Sequence, residues 1–205
     1  MKSTPKVLKT TPNVYIIESL YPDDEGNGRL EGVFLAQMLR LHGKETKYSY
    51  VRTRKEFKDA IRMFKASGYR YLHISAHGDK GGIDTTNRQG ISYSSLAELV
   101  DGIPPNCRLF MSSCEVVHAD SAKSLVSDGK FRSLLGPVDE IDFHDSAATW
   151  AAIYHLIFKA NGKSMNDLLM VPTLNSIMQL FDANFAFYKR TKDAEPQDLL
   201  KKKSS

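Results

Sequence analysis

Short apolar runs and helical periodicities alternate along most of the chain. Residues 14–19 are rich in β-branched and aromatic side chains, and after a polar loop the apolar residues 30, 33, 34, 38 and 41 suit one face of a helix that ends at Gly43. Residues 46–51 alternate like a strand, and Thr53 and Glu56 have the spacing of a capping box that opens a second helix, which ends at Gly68. The pattern predicts a strand–helix unit that occurs twice.

The same alternation continues through the rest of the chain. Residues 81–93 hold too many glycines and polar residues for a helix and predict a hairpin or loop. Further strands are predicted at residues 69–76, 108–112 and 131–136, and further helices at residues 94–100, 146–159 and 175–189. Strands that alternate with helices indicate an α/β sandwich, with a mainly parallel central sheet of about five to six strands and helices on both faces.

Length and composition indicate one globular domain. The 205 residues are 41% hydrophobic and 10% aromatic, which is enough for a substantial core. We place the domain at residues 13–190. A flexible segment, residues 1–12, is expected before it, and a flexible basic tail, residues 191–205, is expected after it.

Charge and hydropathy argue against several kinds of partner. The net charge of +4 comes partly from three consecutive lysines at positions 201–203, and no basic stripe with interleaved aromatic residues appears elsewhere, so nucleic acid is not expected as a partner. No apolar run approaches the roughly 18 residues of a membrane span, and the first residues lack the apolar stretch of a secretory signal. We therefore expect a cytoplasmic protein that does not bind membranes.

The candidate chemistry lies just after two predicted strands. His77 follows the strand at residues 69–76, and Cys114 follows the strand at residues 108–112. Sites in open parallel sheets gather at the carboxyl ends of the strands, so the two side chains meet if these strands are neighbours. A free cysteine is only about 3% thiolate at pH 7, and His77 would be the base or cation that raises this fraction.

A glycine beside the histidine meets a further requirement of acyl transfer. Gly78 has no Cβ, so its backbone amide can approach a reacting carbonyl closely. We expect the amides of Gly78 and Cys114 to form an oxyanion hole.

Two motifs resemble those of a known family. "LHISAHGD" (residues 72–79) and "LFMSSCEV" (residues 109–116) each close a hydrophobic strand, in that order, and are similar to the His-Gly and Ala/Ser-Cys signatures of the caspase-like cysteine peptidases. The pattern most resembles the CHAT branch, whose members are bacterial and archaeal peptidases related to separases. Residues 131–169 are similar to the CHAT region after the cysteine, and the order of elements fits from about residue 14 to residue 189.

The resemblance implies a caspase-like fold and a thiol peptidase. In this family His77 would be the general acid/base and Cys114 the nucleophile that forms a thioacyl intermediate, and no metal or organic cofactor is implied. Separases and several CHAT enzymes hold the basic residue before the scissile bond with an acidic residue in the loop after the fifth strand, which makes Asp142 and Asp145 candidates. Asp24, in the acidic loop after the first strand, is a further candidate for lining the cleft.

The chain also departs from the family pattern. Metacaspases carry an aspartate two positions before the nucleophile, where this chain has Ser112, so metacaspase-style recognition of a basic residue is not supported. Residues 115–117 are Glu-Val-Val instead of the Glu-Thr-Gly that is frequent in CHAT domains, which predicts a different local turn.

Several polar residues have structural interpretations. Cys107 is expected to be a packing residue. His73, His77 and Cys114 do not form a zinc site if residues 73–77 are a strand, because four residues then span roughly 13 Å. His118 and His144 are expected to be exposed loop histidines.

Together these features predict a cysteine endopeptidase that uses a His-Cys dyad and cleaves protein substrates after a basic residue. The resemblance further implies regulation by a partner or ligand within a prokaryotic stress, cell-death or antiviral defence system. Two alternatives remain: a catalytically silent caspase-like interaction module, and a flavodoxin-like binding domain in which His77 and Cys114 merely end strands. Fast alkylation of Cys114 would argue against the first, and a bound nucleotide or flavin would favour the second.

Overall fold

The computed structural model describes residues 9–127, 130–192 and 195–200. Its strands are β1 Thr11–Ser19, β2 Thr46–Tyr50, β3 Tyr69–Ala76, β4 Gly78–Asp79, β5 Gly82–Asp84, β6 Gly90–Ser92, β7 Arg108–Ser112, β8 Ser133–Pro137, β9 Phe185–Lys189 and β10 Gln197–Asp198. Its helices are α1 Pro22–Gly26, α2 Glu31–Leu41, α3 Arg54–Ser67, α4 Tyr93–Leu99, α5 Ala119–Leu125, α6 Phe143–Ala160 and α7 Asp167–Leu180.

A seven-stranded sheet in the order β10-β9-β8-β7-β3-β1-β2 organises the molecule. Strands β8, β7, β3, β1 and β2 pair in parallel, whereas β9 and β10 pair antiparallel. The predicted α/β fold with a mainly parallel sheet is confirmed, although the sheet has seven strands where about five to six were predicted. Strands β4, β5 and β6 form a separate antiparallel sheet where the sequence predicted a hairpin or loop.

Helices cover both faces of the sheet and enclose two apolar cores. Trp150 of α6 packs on one face together with residues of α2 and α7. Phe57 of α3 packs on the other face with residues of α4 and α5. Burial of each such side chain contributes about 1.5–3 kcal/mol, so the two cores account for much of the stability. Among the described residues, no helix is both long and apolar enough to cross a membrane.

The capping box predicted for the second helix is present in α3. Thr53 Oγ1 accepts a hydrogen bond from the amide of Glu56 at 3.2 Å, and the Glu56 carboxylate accepts one from the amide of Thr53 at 3.1 Å. Gly68 follows the helix with a φ of 68°, in the left-handed region that glycine adopts without strain.

The loop predicted after β1 contains a short helix, α1. Pro22 stands at its first position, where a missing amide proton costs nothing, and Asp23, Asp24 and Glu25 stabilise the positive end of the helix dipole. This helix is too short to show a hydrophobic period, which explains why the sequence predicted a polar loop.

The helix predicted at residues 175–189 is wrong in its bounds and partly in its type. The chain is helical at Asp167–Leu180 and then forms β9 at Phe185–Lys189. Pro172 lies inside α7 and argues for a break in a sequence-based prediction. The buried side chains of Met170, Leu174 and Ile177 nevertheless hold this helix on the sheet.

Part of the predicted C-terminal tail belongs to the sheet. Gln197 and Asp198 pair with β9, and Asp198 Oδ1 accepts hydrogen bonds from the amides of Phe187 and Leu200. A two-residue strand carries no alternation, so no hydrophobic pattern predicts it. Residues 1–8 of the predicted N-terminal segment, and residues 193–194 and 201–205 of the tail, lie outside the described residues.

Candidate active site

His77 and Cys114 emerge side by side at the carboxyl edge of the sheet. Strands β3 and β7 are neighbours, and the last pair in their parallel register is Ser75 with Ser112. His77 and Cys114 each stand two residues beyond that pair. Both line the same narrow slot of about 50 Å³. The structure therefore brings together the two residues that the sequence singled out.

Asp24 is held against the candidate base. Helix α1 places the Asp24 carboxylate so that Oδ2 lies 2.7 Å from Nε2 of His77. The other oxygen, Oδ1, accepts a hydrogen bond from Arg29 at 2.7 Å. Asp24 was predicted to line the substrate cleft, and that role remains a prediction. In the structure both of its oxygens are bonded to side chains of the protein.

Aromatic rings fix the plane of the His77 imidazole. The Tyr21 ring stacks on it with a centroid distance of 4.0 Å, and the Phe143 ring meets it edge-on at 5.8 Å. Burial and the hydrogen bond from Tyr21 to Asp84 raise the pKa of Tyr21 to about 12, so its hydroxyl remains a donor. Arg88 covers the opposite face of Tyr21 at 4.2 Å. Sequence reasoning did not identify this stack, because its members come from separate loops.

The backbone turns sharply after the candidate nucleophile. Glu115 has a φ of 53°, which is uncommon for a residue with a side chain and indicates local strain. Its amide donates to the carbonyl of Asp139 at 3.2 Å, which ties the turn to the loop after β8. Cys114 Sγ lies half-buried, 3.8 Å from the carbonyl oxygen of Ile141 in the same loop.

The second cysteine has different surroundings. Cys107 is buried, and burial raises the pKa of its thiol to about 12. It therefore stays protonated at neutral pH and has no access to reagents, in agreement with a packing role.

Packing at Gly78 requires a glycine. A Cβ at this position would lie 2.7 Å from Cγ1 of Val116 and 2.8 Å from the carbonyl oxygen of Gly82. This crowding accounts for the residue type without reference to catalysis. The expected oxyanion role of the Gly78 and Cys114 amides remains a prediction.

A larger cleft opens on the other side of Cys114. Its volume is about 430 Å³, and it lies between the loop after β8 and the loop that joins α7 to β9. The residues that line it include no lysine or arginine. Its acidic members are Asp139, Glu140, Asp142, Asp145 and Asp182, and we call it the acidic cleft. Both aspartates predicted for substrate binding after the fifth parallel strand therefore lie beside the candidate nucleophile.

Comparisons with known proteins support the architecture. No protein-family model and no curated protein matches the sequence. A secreted C11 cysteine protease from Bacteroides thetaiotaomicron, solved with an irreversible peptide inhibitor, superposes with a TM-score of 0.59, at 10% identity over 87% of this chain and 66% of that chain. Caspase-1 from Spodoptera frugiperda also gives 0.59, at 11% identity over 100% of this chain and 97% of that chain. The chain has a caspase-like fold.

Identities of 10–11% establish the fold alone. This chain also spans only 66% of the length of the C11 protease. Its parallel strands β2-β1-β3-β7-β8 have the order that flavodoxin-like folds share, so strand order by itself does not separate the two architectures. In this chain the small β4-β5-β6 sheet and the antiparallel strand β9 are additions to those five parallel strands.

Within the caspase-like fold, His73 lies apart from His77. It is fully buried beneath α6, with Nδ1 at 3.0 Å from the hydroxyl of Tyr154 and its ring edge-on to Trp150 at 4.9 Å. Among the described residues, only Asp142, His144 and Asp145 bring donor atoms close enough together for a metal ion, and all three are exposed. His118 Nε2 lies 3.2 Å from the carbonyl oxygen of Lys80.

Two buried carboxylates near the dyad were missed by sequence reasoning. Glu18 ends the apolar run of β1, and Glu31 opens α2 on the side that packs against the sheet. A charged residue inside an apolar period was the available signal, because lysine, arginine, aspartate and glutamate are almost never fully buried without a partner.

Proposed function

We propose that this caspase-like protein is a cysteine endopeptidase in which Cys114 is the nucleophile and His77 the general acid/base. The observation that carries the proposal is the convergence of His77, Cys114 and Asp24 at one edge of the sheet. The C11 protease with the similar fold is itself a cysteine protease, which supports the same chemistry here.

The contacts of His77 suggest how the proton moves. When Nε2 donates its proton to Asp24, the lone pair of the neutral imidazole resides on Nδ1. Nδ1 then takes the proton of the Cys114 thiol, and the thiolate attacks the carbonyl carbon of the substrate. The C–N bond breaks as His77 returns the proton to the leaving amine. Water, deprotonated by His77, then hydrolyses the thioester and regenerates the thiol.

Asp24 acts in this scheme as a positioning residue. Its carboxylate fixes the tautomer of His77 and stabilises the imidazolium that forms when Cys114 loses its proton. The Tyr21 ring holds the plane of the imidazole. The amides of Gly78 and Cys114 would stabilise the oxyanion of the tetrahedral intermediate.

We further propose cleavage after a basic residue. The five acidic residues of the acidic cleft create a negative potential next to Cys114, which attracts cationic substrate segments. The motif resemblance supports a CHAT-like affiliation and control by a partner or ligand in a prokaryotic stress, cell-death or antiviral defence system. A cytoplasmic location is part of the same proposal.

A comparison of three proteins tests the peptidase. A complex protein mixture is incubated with wild type, with Cys114→Ala, or with the control Cys107→Ala, and new peptide termini are identified by mass spectrometry. We expect new termini after lysine or arginine with wild type and Cys107→Ala, and none with Cys114→Ala. Iodoacetamide should label Cys114 of the wild type at neutral pH and leave Cys107 unlabelled.

Each other outcome has a distinct meaning. New termini after uncharged residues would keep the peptidase and refute the basic specificity. An absence of new termini together with slow labelling of Cys114 would refute the peptidase and favour the silent interaction module.

A further inference from the structure

The slot that Cys114 and His77 share has a buried carboxylate in its wall. Glu31, the first residue of α2, lines the slot together with Ser112, Ser113 and Ser146. Its side chain is 3% exposed. An acidic group thus lies next to the candidate nucleophile but on a different side from the acidic cleft.

The two oxygens of this carboxylate differ in their contacts. Oε2 lies 2.9 Å from the hydroxyl of Ser112 and 3.1 Å from that of Ser146, so both hydroxyls are within donating distance. Oε1 is buried and accepts no hydrogen bond from any described residue. The nearest cationic candidate, Nε2 of His73, lies 3.6 Å away and also lacks a hydrogen-bond partner. One carboxylate oxygen therefore retains its full capacity to accept.

Glu31 also has no lysine or arginine partner in the described part of the chain. Its neighbour Glu18 likewise forms no ion pair with lysine or arginine among the described residues. Burial raises the pKa of Glu18 to about 7, and the charge of Glu31 adds to this rise. Taking a carboxylate out of water costs several kcal/mol unless a cation or several donors replace the solvent. A cationic side chain that enters the slot would supply that compensation.

The dimensions and remaining acceptors of the slot select the kind of cation. A volume of about 50 Å³ holds roughly three or four water molecules, which matches the end of an extended aliphatic chain. An ammonium group in the slot lies beside the Glu31 carboxylate and can donate to Ser113 Oγ, a buried atom of the slot wall without a partner. A guanidinium binds best with two parallel hydrogen bonds to both carboxylate oxygens, and the hydroxyls of Ser112 and Ser146 already occupy Oε2.

We infer that Glu31 is the specificity-determining residue of this site and that the slot takes a lysine side chain directly before the scissile bond. The inference rests on the proposed peptidase and goes beyond it, because it moves recognition from Asp142 and Asp145 to α2 and separates lysine from arginine. Ser112 then holds an acidic group supplied by α2, through the hydrogen bond from its hydroxyl to Oε2. The acidic cleft would attract other basic residues of the substrate.

Peptide substrates that differ only at this position test the inference. With the wild type we expect lysine to exceed arginine in kcat/KM by about 10-fold, and norleucine, the uncharged isostere, by about 100-fold. In Glu31→Gln the advantage of lysine over norleucine should fall to within about 3-fold. Ser146→Ala should raise the arginine-to-lysine ratio, because it frees a lone pair on Oε2.

Matched controls separate this effect from general loss of charge. Glu18→Gln removes a buried carboxylate that does not line the slot, and Asp142→Asn and Asp145→Asn remove charges from the acidic cleft. None of the three should change the lysine-to-norleucine ratio by more than about 3-fold. A ratio that survives in Glu31→Gln and collapses in Asp142→Asn or Asp145→Asn would overturn the inference.

A second measurement does not depend on peptidase activity. In a Cys107→Ser background, Cys114 is modified with 2-aminoethyl methanethiosulfonate or with the neutral ethyl analogue. We expect the cationic reagent to react at least about 10-fold faster, and this preference to be lost in Glu31→Gln and retained in Asp145→Asn. Equal rates for the two reagents in wild type would refute the binding of a cation in the slot. A preserved preference in a protein that cleaves no peptide would refute the peptidase and leave the slot intact, so the two failures are distinguishable.

Discussion

Two carboxylates, one at each edge of the central sheet, have opposite surroundings. Asp167 begins α7 at the amino edge and contacts Arg108 and Lys189, each at 2.6 Å, and Arg132 at 3.4 Å. Burial would raise the pKa of Asp167, but Lys189 and Arg108 outweigh it and lower the pKa to about 2. Glu31 begins α2 at the carboxyl edge and has no lysine or arginine partner among the described residues.

The difference separates a structural charge from one that is available for binding. The amino edge neutralises its carboxylate with three cations and gains stability from them. The carboxyl edge leaves a buried carboxylate with one oxygen unsatisfied beside a candidate nucleophile, and an unsatisfied buried acceptor is a cost to folding. Such a cost is expected where function needs it.

The largest expected effect is at the amino edge. Asp167→Asn should lower the free energy of unfolding at pH 7 by about 3–5 kcal/mol, because Arg108 would be left buried without its carboxylate. The pKa of Asp167 is depressed in the native state, so its contribution is present above the unfolded pKa near 3.8 and is lost as pH falls towards 2. Urea unfolding at pH 7 and pH 3, with exposed Asp120→Asn as control, measures both. A loss below about 1 kcal/mol would contradict a stabilising role for the contacts between Asp167 and its cations.

The next largest effect is the pH dependence of stability that comes from Glu18, the buried carboxylate beside Glu31. Burial raises the pKa of Glu18 from 4.5 to about 7, so between these values the native state holds a proton that the unfolded state has lost. The free energy of unfolding therefore falls as pH rises through this range, by about 3 kcal/mol, and levels off above it. Glu18→Gln should remove this part of the slope.

Urea unfolding of wild type and Glu18→Gln at pH 5 and pH 8 measures the slope. We expect the variant to gain stability relative to wild type at pH 8 and much less at pH 5. Parallel pH profiles for the two proteins would show that Glu18 titrates normally, and the contrast between the two edges would then rest on Glu31 alone.

The surroundings of Asp24 are intermediate between those of Asp167 and Glu31, because one of its oxygens contacts Arg29 and the other contacts His77. Asp24→Asn should lower kcat/KM for peptide cleavage by about 10- to 100-fold, since His77 loses the acceptor that fixes its tautomer. The matched control is Asp23→Asn, the neighbouring exposed carboxylate of the same helix. Equal activity of the two variants would exclude a positioning role for Asp24, and thermal unfolding of both variants checks that α1 remains folded.

The smallest effect sharpens the picture of the amino edge. Arg132 lies farthest from Asp167 and its side chain is 43% exposed, so Arg132→Gln should cost under about 1 kcal/mol in the free energy of unfolding. The urea midpoint measures this. A loss of 2 kcal/mol or more would mean that the three cations act as one unit.

Several elements were predictable because their signals are local. The capping box of α3 and the strands that precede His77 and Cys114 depend on residues a few positions apart, and the structure confirms them. The rules for parallel sheets permitted the pairing of β3 with β7, and the structure shows it. Helix α1 and strand β10 have too few residues to show a period, and Pro172 obscured the start of α7.

The sequence alone determined the alternating α/β architecture and the two strand ends that carry His77 and Cys114, because hydrophobic period and turn chemistry are properties of neighbouring residues. Only the tertiary structure decided which carboxylates meet a cation. Glu31 contacts Ser112 and Ser146, which lie 81 and 115 positions away along the chain, and Asp167 meets Arg108 across 59 positions. Contacts at such separations depend on how whole helices pack against the sheet, and no local pattern of residues encodes them.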